Sequence, residues 1–237
     1  MRLWCWLLCA SLPLQAAPLV VVTEIFPPYQ QLNEQAQLTG WSVDIVRQVF
    51  AEAGLGLRIE TLPWPRAFKM ATDQPETYIF SMLQTRDRLA GFRWVVPLCP
   101  MRVSFYTTQN RPEVDPQNLL EARKFMVGVE QGQANYRFLL NNGFRENKNL
   151  VLVGQNHQLP QMIMQKRIDM VLMSDLYVAQ QFRNTPVQLR KLFSVSALEL
   201  TLFLAAHKDS QDATVQRLQQ AYQRLYGQTP PQCQRES

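Results

Sequence analysis

Apolar positions along the chain switch repeatedly between a strand-like and a helix-like period. Residues 19–22, Leu-Val-Val-Val, form a short β-branched run that predicts a buried strand. It stops at Phe26-Pro27-Pro28-Tyr29, where two prolines forbid helix and ladder alike. Val43, Val46, Val49, Phe50 and Ala53 then recur at helical spacing, with Ser42 as the expected N-cap and Gly54 as the stop. Residues 57–62 alternate as a second strand, residues 65–71 read as a short helix opening on Pro65, and residues 79–83 read as a third strand. Strand–helix–strand alternation of this kind predicts parallel pairing.

The same grammar restarts in the second half. Residues 125–129, 150–153 and 169–173 read as strands, and residues 133–141 and 159–166 as helices, the first closed by Gly143. A β-rich stretch at 102–108 separates the halves, and a matching one at 200–206 follows the second. Residues 213–226 close the chain as a helix, with Val215, Leu218, Tyr222 and Leu225 on one face and Gly227 at its end. Two α/β units joined by paired extended segments predict two lobes with a cleft between them, where ligands sit beyond the carboxyl ends of the strands.

The first segment stands apart. Residues 1–17 carry Arg2, an apolar stretch from Leu3 to Leu14, and then small residues, the layout of a secretory signal peptide with the cut expected after Ala16. A lipid anchor on Cys9 is the alternative, but Leu8 is larger than the small residue expected before such a cysteine. The apolar stretch is too short to span a bilayer. With Cys5 and Cys9 gone, only Cys99 and Cys233 remain, and in an oxidising compartment they form either one disulfide or two separately buried thiols.

Composition narrows the function. Of 237 residues, 46% are hydrophobic and 18% charged, enough apolar material for a packed core. The net charge of +5 is modest and the basic residues are scattered, in pairs such as Arg190-Lys191 at most, which argues against nucleic acid as a partner. His157 and His207 are the only histidines, and neither has Cys or acidic companions at metal-ligand spacing. The sequence also lacks a G-x-S-x-G elbow, a phosphate-cradling glycine loop and a C-x-x-C pair.

Taken in order, TEIFPPYQ, LTGWSVDIV, LPWPRA and SMLQTRDRLAGFRWVVPL resemble the family-3 extracellular solute-binding proteins, most specifically at Thr85-Arg86-Asp87-Arg88 and Phe92-Arg93-Trp94. The second half adds the weaker matches Val127-Gly128-Val129-Glu130-Gln131-Gly132 and Arg167-Ile168-Asp169. The resemblance implies an α/β, two-lobe type 2 periplasmic-binding fold with its ligand cleft between the lobes and two extended hinge crossovers. The expected division is residues 1–16 as signal peptide, 17–100 as the first part of lobe 1 and 101–199 as lobe 2. Residues 200–237 form the return crossover and a C-terminal helix packing back on lobe 1.

By the same resemblance, Arg88 stands where amino-acid receptors place the arginine that clamps a substrate carboxylate, a role suited to a planar fork of donors. Thr85 either caps the following turn, donates to the ligand, or does both. Ser81 falls where a family strand offers polar atoms to the ligand. Phe26 matches the aromatic packed over the ligand, with Tyr29 close behind and Trp64 as a second stacking candidate. Three positions depart from the family pattern. Leu83 replaces a polar residue, and Gln133 replaces a threonine after the second-lobe glycine. Ser174 stands where an acid for the substrate amino group is expected, with Asp175 one step late and in need of a strand bulge to reach the cleft.

The implied function is a monomeric periplasmic protein, without cofactor or metal, that captures a small polar, carboxylate-bearing solute for the membrane permease subunits of an ABC importer. Two alternatives stay open. One is a binding protein that reports to a membrane sensor. The other is a cyclohexadienyl-dehydratase-like enzyme on the same fold, for which Glu130 is the one candidate general acid.

Overall fold

A computed structural model describes residues 17–183, 185, 188–227, 231 and 233; the segment read as a signal, residues 1–16, lies outside them. The chain begins with β1 (Leu19–Thr23) and a small hairpin, β2 (Gln31–Leu32) and β3 (Leu38–Thr39). Then come α1 (Trp41–Glu52), β4 (Leu57–Thr61), α2 (Trp64–Asp73), β5 (Thr77–Leu83) and β6 (Phe92–Met101). It continues through β7 (Val103–Thr108), α3 (Leu119–Ala122), β8 (Val127–Glu130), α4 (Ala134–Asn141) and β9 (Leu150–Val153). The last elements are α5 (Leu159–Met164), β10 (Met170–Ser174), α6 (Asp175–Gln181), β11 (Leu189–Ser194), β12 (Leu200–His207) and α7 (Asp212–Tyr226).

The strands form two five-stranded sheets, ordered β4-β1-β5-β12-β6 and β11-β7-β10-β8-β9. In the first, β1 runs parallel to β4 and β5, as strand–helix–strand alternation predicts, and β12 enters antiparallel between β5 and β6. In the second, β8 runs parallel to β9 and β10, and β7 lies antiparallel between β10 and β11. The chain passes between sheets after Met101 and returns before Leu200, so two extended segments join two α/β lobes.

Helices cover the sheets closely. All seven residues of β5 are buried, the burial expected of a strand with packed faces on both sides. Helix α7 packs on α1 and β6 and so adds its apolar stripe to the first lobe. The start of α1 differs from the expectation: it opens at Trp41, with Gly40 rather than Ser42 at the cap. Gly40 has φ 126°, and a Cβ there would stand 2.5 Å from the carbonyl oxygen of Tyr29. Only glycine accepts both the dihedral and the approach, while Ser42 lies in the first turn and donates its N–H to that same carbonyl.

Near the C-terminus, the sulfurs of Cys99 on β6 and Cys233 are bonded, with their Cα atoms 5.4 Å apart. Among the described residues, no helix is long and apolar enough to cross a membrane.

Candidate functional site

The carboxyl ends of β1 and β8 point at each other across the gap between the sheets. β1 is followed directly by Glu24, and β8 ends on Glu130. Between them lies a cavity of about 30 Å³, lined from the first lobe by Glu24, Phe26, Trp64, Ser81, Leu83 and Arg88. The second lobe supplies Glu130, Gln133, Asn135, Met173 and Ser174 among others. That volume holds a water or two.

Arg88 is only 5% exposed. Its guanidinium lies 5.2 Å from the ring centre of Trp64 and 5.1 Å from that of Phe68, an aromatic slot that favours a cation. Burial pushes its pKa down to about 10, against the pull of Asp87 and Glu24, so it remains charged at neutral pH. Nη2 of Arg88 donates to the carbonyl of Gly132 at 3.2 Å, and Nε1 of Trp64 donates to the same carbonyl at 3.1 Å. Gly132 lies in the turn before α4 at φ 78°, so two side chains of one lobe converge on one backbone oxygen of the other. Pro65 in the first turn of α2 fixes the helix start there and holds Trp64 at the cavity edge.

Phe26 stacks between Tyr29 at 5.2 Å and Tyr177 of α6 at 5.6 Å, which is a second contact across the lobes. Ser81 sits inside β5 with φ 59°, a left-handed conformation rare in a strand. The β12–β5 register shifts at this point, so a bulge turns Ser81 toward the cavity. Its hydroxyl donates to Oε1 of the fully buried Gln30 at 2.7 Å, and Nε2 of Gln30 donates to Thr23 at 3.1 Å.

Gln133 bridges the lobes differently. Its amide donates to Oε1 of Glu24 and reaches Oε2 of Glu130 at 3.5 Å. Glu24 is 7% exposed and Glu130 1%. Burial raises the pKa of Glu24 well above the carboxylate range, and the neighbouring Glu130 adds to the rise. Burial likewise pushes Glu130 up to about 7, with hydrogen bonds from Glu24 and Gln133 opposing it.

Five of the eight residues singled out in the sequence therefore line one cavity: Phe26, Trp64, Ser81, Arg88 and Gln133. Three lie elsewhere. Tyr29 is fully buried behind Phe26, with its hydroxyl at 3.4 Å from the carbonyl of Pro100 and 3.5 Å from Ser174. Thr85 shapes the turn that carries Arg88: its carbonyl accepts the Arg88 N–H at 2.9 Å and its hydroxyl bonds Asp87. Asp175 does not reach the cavity, because β10 pairs with β7 in unbroken register through Ser174 and no bulge turns the next residue inward. Asp175 opens α6 instead, accepting from Tyr106 at 2.9 Å and Lys191 at 2.8 Å. Glu24 was missed, since an acid just past a buried strand carries no periodic signal. The sequence points to Glu130 only as an enzyme's acid. Among the described residues, no three His, Cys, Asp or Glu side chains are placed to hold a metal.

The family model for bacterial extracellular solute-binding proteins, family 3, matches residues 19–228. The chain belongs to that family. No curated protein matches it by sequence. Among solved structures, an ancestral arginine-binding protein bound to arginine superposes with a TM-score of 0.78 at 14% identity, covering 90% of this chain and 94% of that one. A histidine kinase sensor domain with similarity to periplasmic binding proteins gives 0.76 at 16% identity, covering 90% and 93%. An amino acid ABC transporter substrate-binding protein from Streptococcus pneumoniae, bound to L-arginine, gives 0.73 at 16%, covering 88% of each chain. At these identities the likeness establishes the fold of this family-3 chain.

Proposed function

We propose that this family-3 protein is a periplasmic receptor that closes its two lobes on a small polar solute of amino-acid type and offers the closed form to the permease subunits of an ABC importer. One observation carries the reading: a buried guanidinium, that of Arg88, faces a cavity built from both lobes. Its planar fork suits a carboxylate. Phe26 and Trp64 supply apolar walls, Ser81 and Gln133 supply polar contacts, and hinge closure traps the solute. Solved proteins of the same fold bound to arginine support the amino-acid class. The likeness to a kinase sensor domain favours a second reading, delivery of the ligand signal to a membrane sensor.

A thermal-shift screen of residues 17–237 against amino acids, organic acids and polyamines tests the ligand class. A solute at a hundred times its Kd stabilises by about 2.7 kcal/mol, which raises Tm by roughly 5–10 °C at this size. Shifts of that order with amino acids are expected. A flat response to every solute bearing a carboxylate would overturn the proposal.

A further inference from the structure

Gln30 is a fully buried amide at the point where the proline turn after β1 comes back on itself. Two backbone bonds close that turn: the N–H of Phe26 donates to the carbonyl of Gln30 at 2.8 Å, and the N–H of Gln30 donates to that of Phe26 at 3.1 Å. Phe26 lines the cavity from one end of this bridge. From the other end the Gln30 side chain runs inward to Thr23 of β1 and Ser81 of β5. A buried amide needs partners at both its nitrogen and its oxygen, and these two hydroxyls are the partners.

The three side chains form a relay with one direction. Backbone pairing of β1 with β5 ends at Val22 and Ile79. One residue further on, Oγ1 of Thr23 donates to the carbonyl of Phe80 at 3.4 Å. With its proton committed there, the Thr23 oxygen accepts from Nε2 of Gln30 at 3.1 Å. That bond decides which end of the amide faces β5. Oε1 of Gln30 meets Ser81 and accepts its hydroxyl proton at 2.7 Å. Thr23 and Gln30 are both fully buried, so solvent does not compete for these bonds. A serine hydroxyl carries one proton and two lone pairs. Ser81, turned to the cavity by the bulge in β5, therefore presents only lone pairs to it.

We infer that Gln30 is a positioning residue of the solute site, holding the Ser81 hydroxyl as a pure acceptor so that the cleft selects a solute with an N–H or O–H donor at that point and rejects one with a carbonyl oxygen there. The inference rests on the proposed solute-binding role, whereas the direction of the relay does not. Arg88, in the turn after β5, offers donors to a carboxylate, and Ser81 offers the opposite polarity from β5 itself. An oxygen facing Ser81 would leave two acceptors without a proton between them, and buried polar groups left unpaired discriminate strongly between similar solutes. A 2-amino acid and the 2-oxo acid of the same carbon skeleton differ in this respect, one bringing N–H groups and the other a carbonyl.

The test has two arms. Neutron diffraction from crystals of perdeuterated residues 17–237, without added solute, is expected to show deuterium on Oγ of Ser81 aimed at Gln30 and the Gln30 nitrogen on the Thr23 side. A Gln30 nitrogen donating to Ser81 would overturn the relay. In the second arm, L-alanine, L-leucine and L-glutamate are titrated by calorimetry beside pyruvate, 4-methyl-2-oxopentanoate and 2-oxoglutarate. The proteins are native, Gln30→Leu, Ser81→Ala and the double variant. The native protein is expected to prefer an amino acid over its oxo partner. That preference should fall about tenfold in Gln30→Leu, the worth of one hydrogen bond to a charged group, because the freed hydroxyl can turn and donate. With Ser81→Ala already in place, Gln30→Leu should alter the preference no further. An unchanged preference in Gln30→Leu would overturn the selection. A fall of the same size with Ser81→Ala in place would show that Gln30 acts through packing and overturn its positioning role. Failure of the solute-binding role reads differently: neither member of any pair binds, and the selection falls with it whatever the neutron map shows.

Discussion

At the scale of single residues, the contact between the lobes rests on a few polar atoms that cross the gap. The carbonyl of Gly132 receives two donors from the other lobe, Nε1 of Trp64 and Nη2 of Arg88. Trp64→Phe removes one donor and keeps an aromatic face beside the guanidinium. A net hydrogen bond is worth about 1 kcal/mol, so solute affinity should drop about fivefold in calorimetry. An unaltered Kd would show that the bond does not contribute to closure. Residue identity also explains what the sequence conveyed of the site. Arg88 and Phe26 stand out because they fall in the segments that carry the family resemblance, and Trp64 because it lies between a strand and Pro65. Glu24 does not stand out, because only the fold brings it to the same cavity as Glu130 at the end of β8. Asp175, one step past the expected position, needs a bulge to reach the cleft, and no sequence pattern distinguishes a bulge from the unbroken ladder through Ser174.

At the scale of elements, the parallel core is legible because β1, β5, β8, β9 and β10 are mostly apolar runs and β4 alternates, with helices between them that have glycine or proline at their ends. The strands β6 and β11 were not read as strands. β6 carries Arg93, Pro97 and Pro100 among buried residues, and β11 carries Arg190 and Lys191 with no fully buried position. Both gain their strand character from neighbours, β12 and β7, rather than from their own pattern. β6 also anchors the C-terminus through the Cys99–Cys233 bond, which spans 134 positions. In the chain-entropy account such a link stabilises by about 5 kcal/mol. Reduction, or Cys233→Ser, should therefore lower Tm by roughly 10–20 °C, read by calorimetric melting with and without reductant. Identical melting under both conditions would mean that the unfolded chain gains little freedom from losing the bridge.

At the scale of the whole molecule, two sheets present their strand ends to one another and the chain crosses between them twice. In the proposed receptor, that layout lets a small hinge rotation assemble or dismantle the cavity, because its lining is split between the lobes. Arg88, Trp64 and Glu24 belong to one half, and Gly132, Glu130 and Gln133 to the other. The central claim is that this split site captures a carboxylate-bearing solute on Arg88. Its most direct test is calorimetric titration of native protein and Arg88→Ala with whichever amino acid gives the largest thermal shift. The account predicts one solute per native chain, and at least a hundredfold loss of affinity in a folded Arg88→Ala protein. Equal affinity in the two proteins would contradict it.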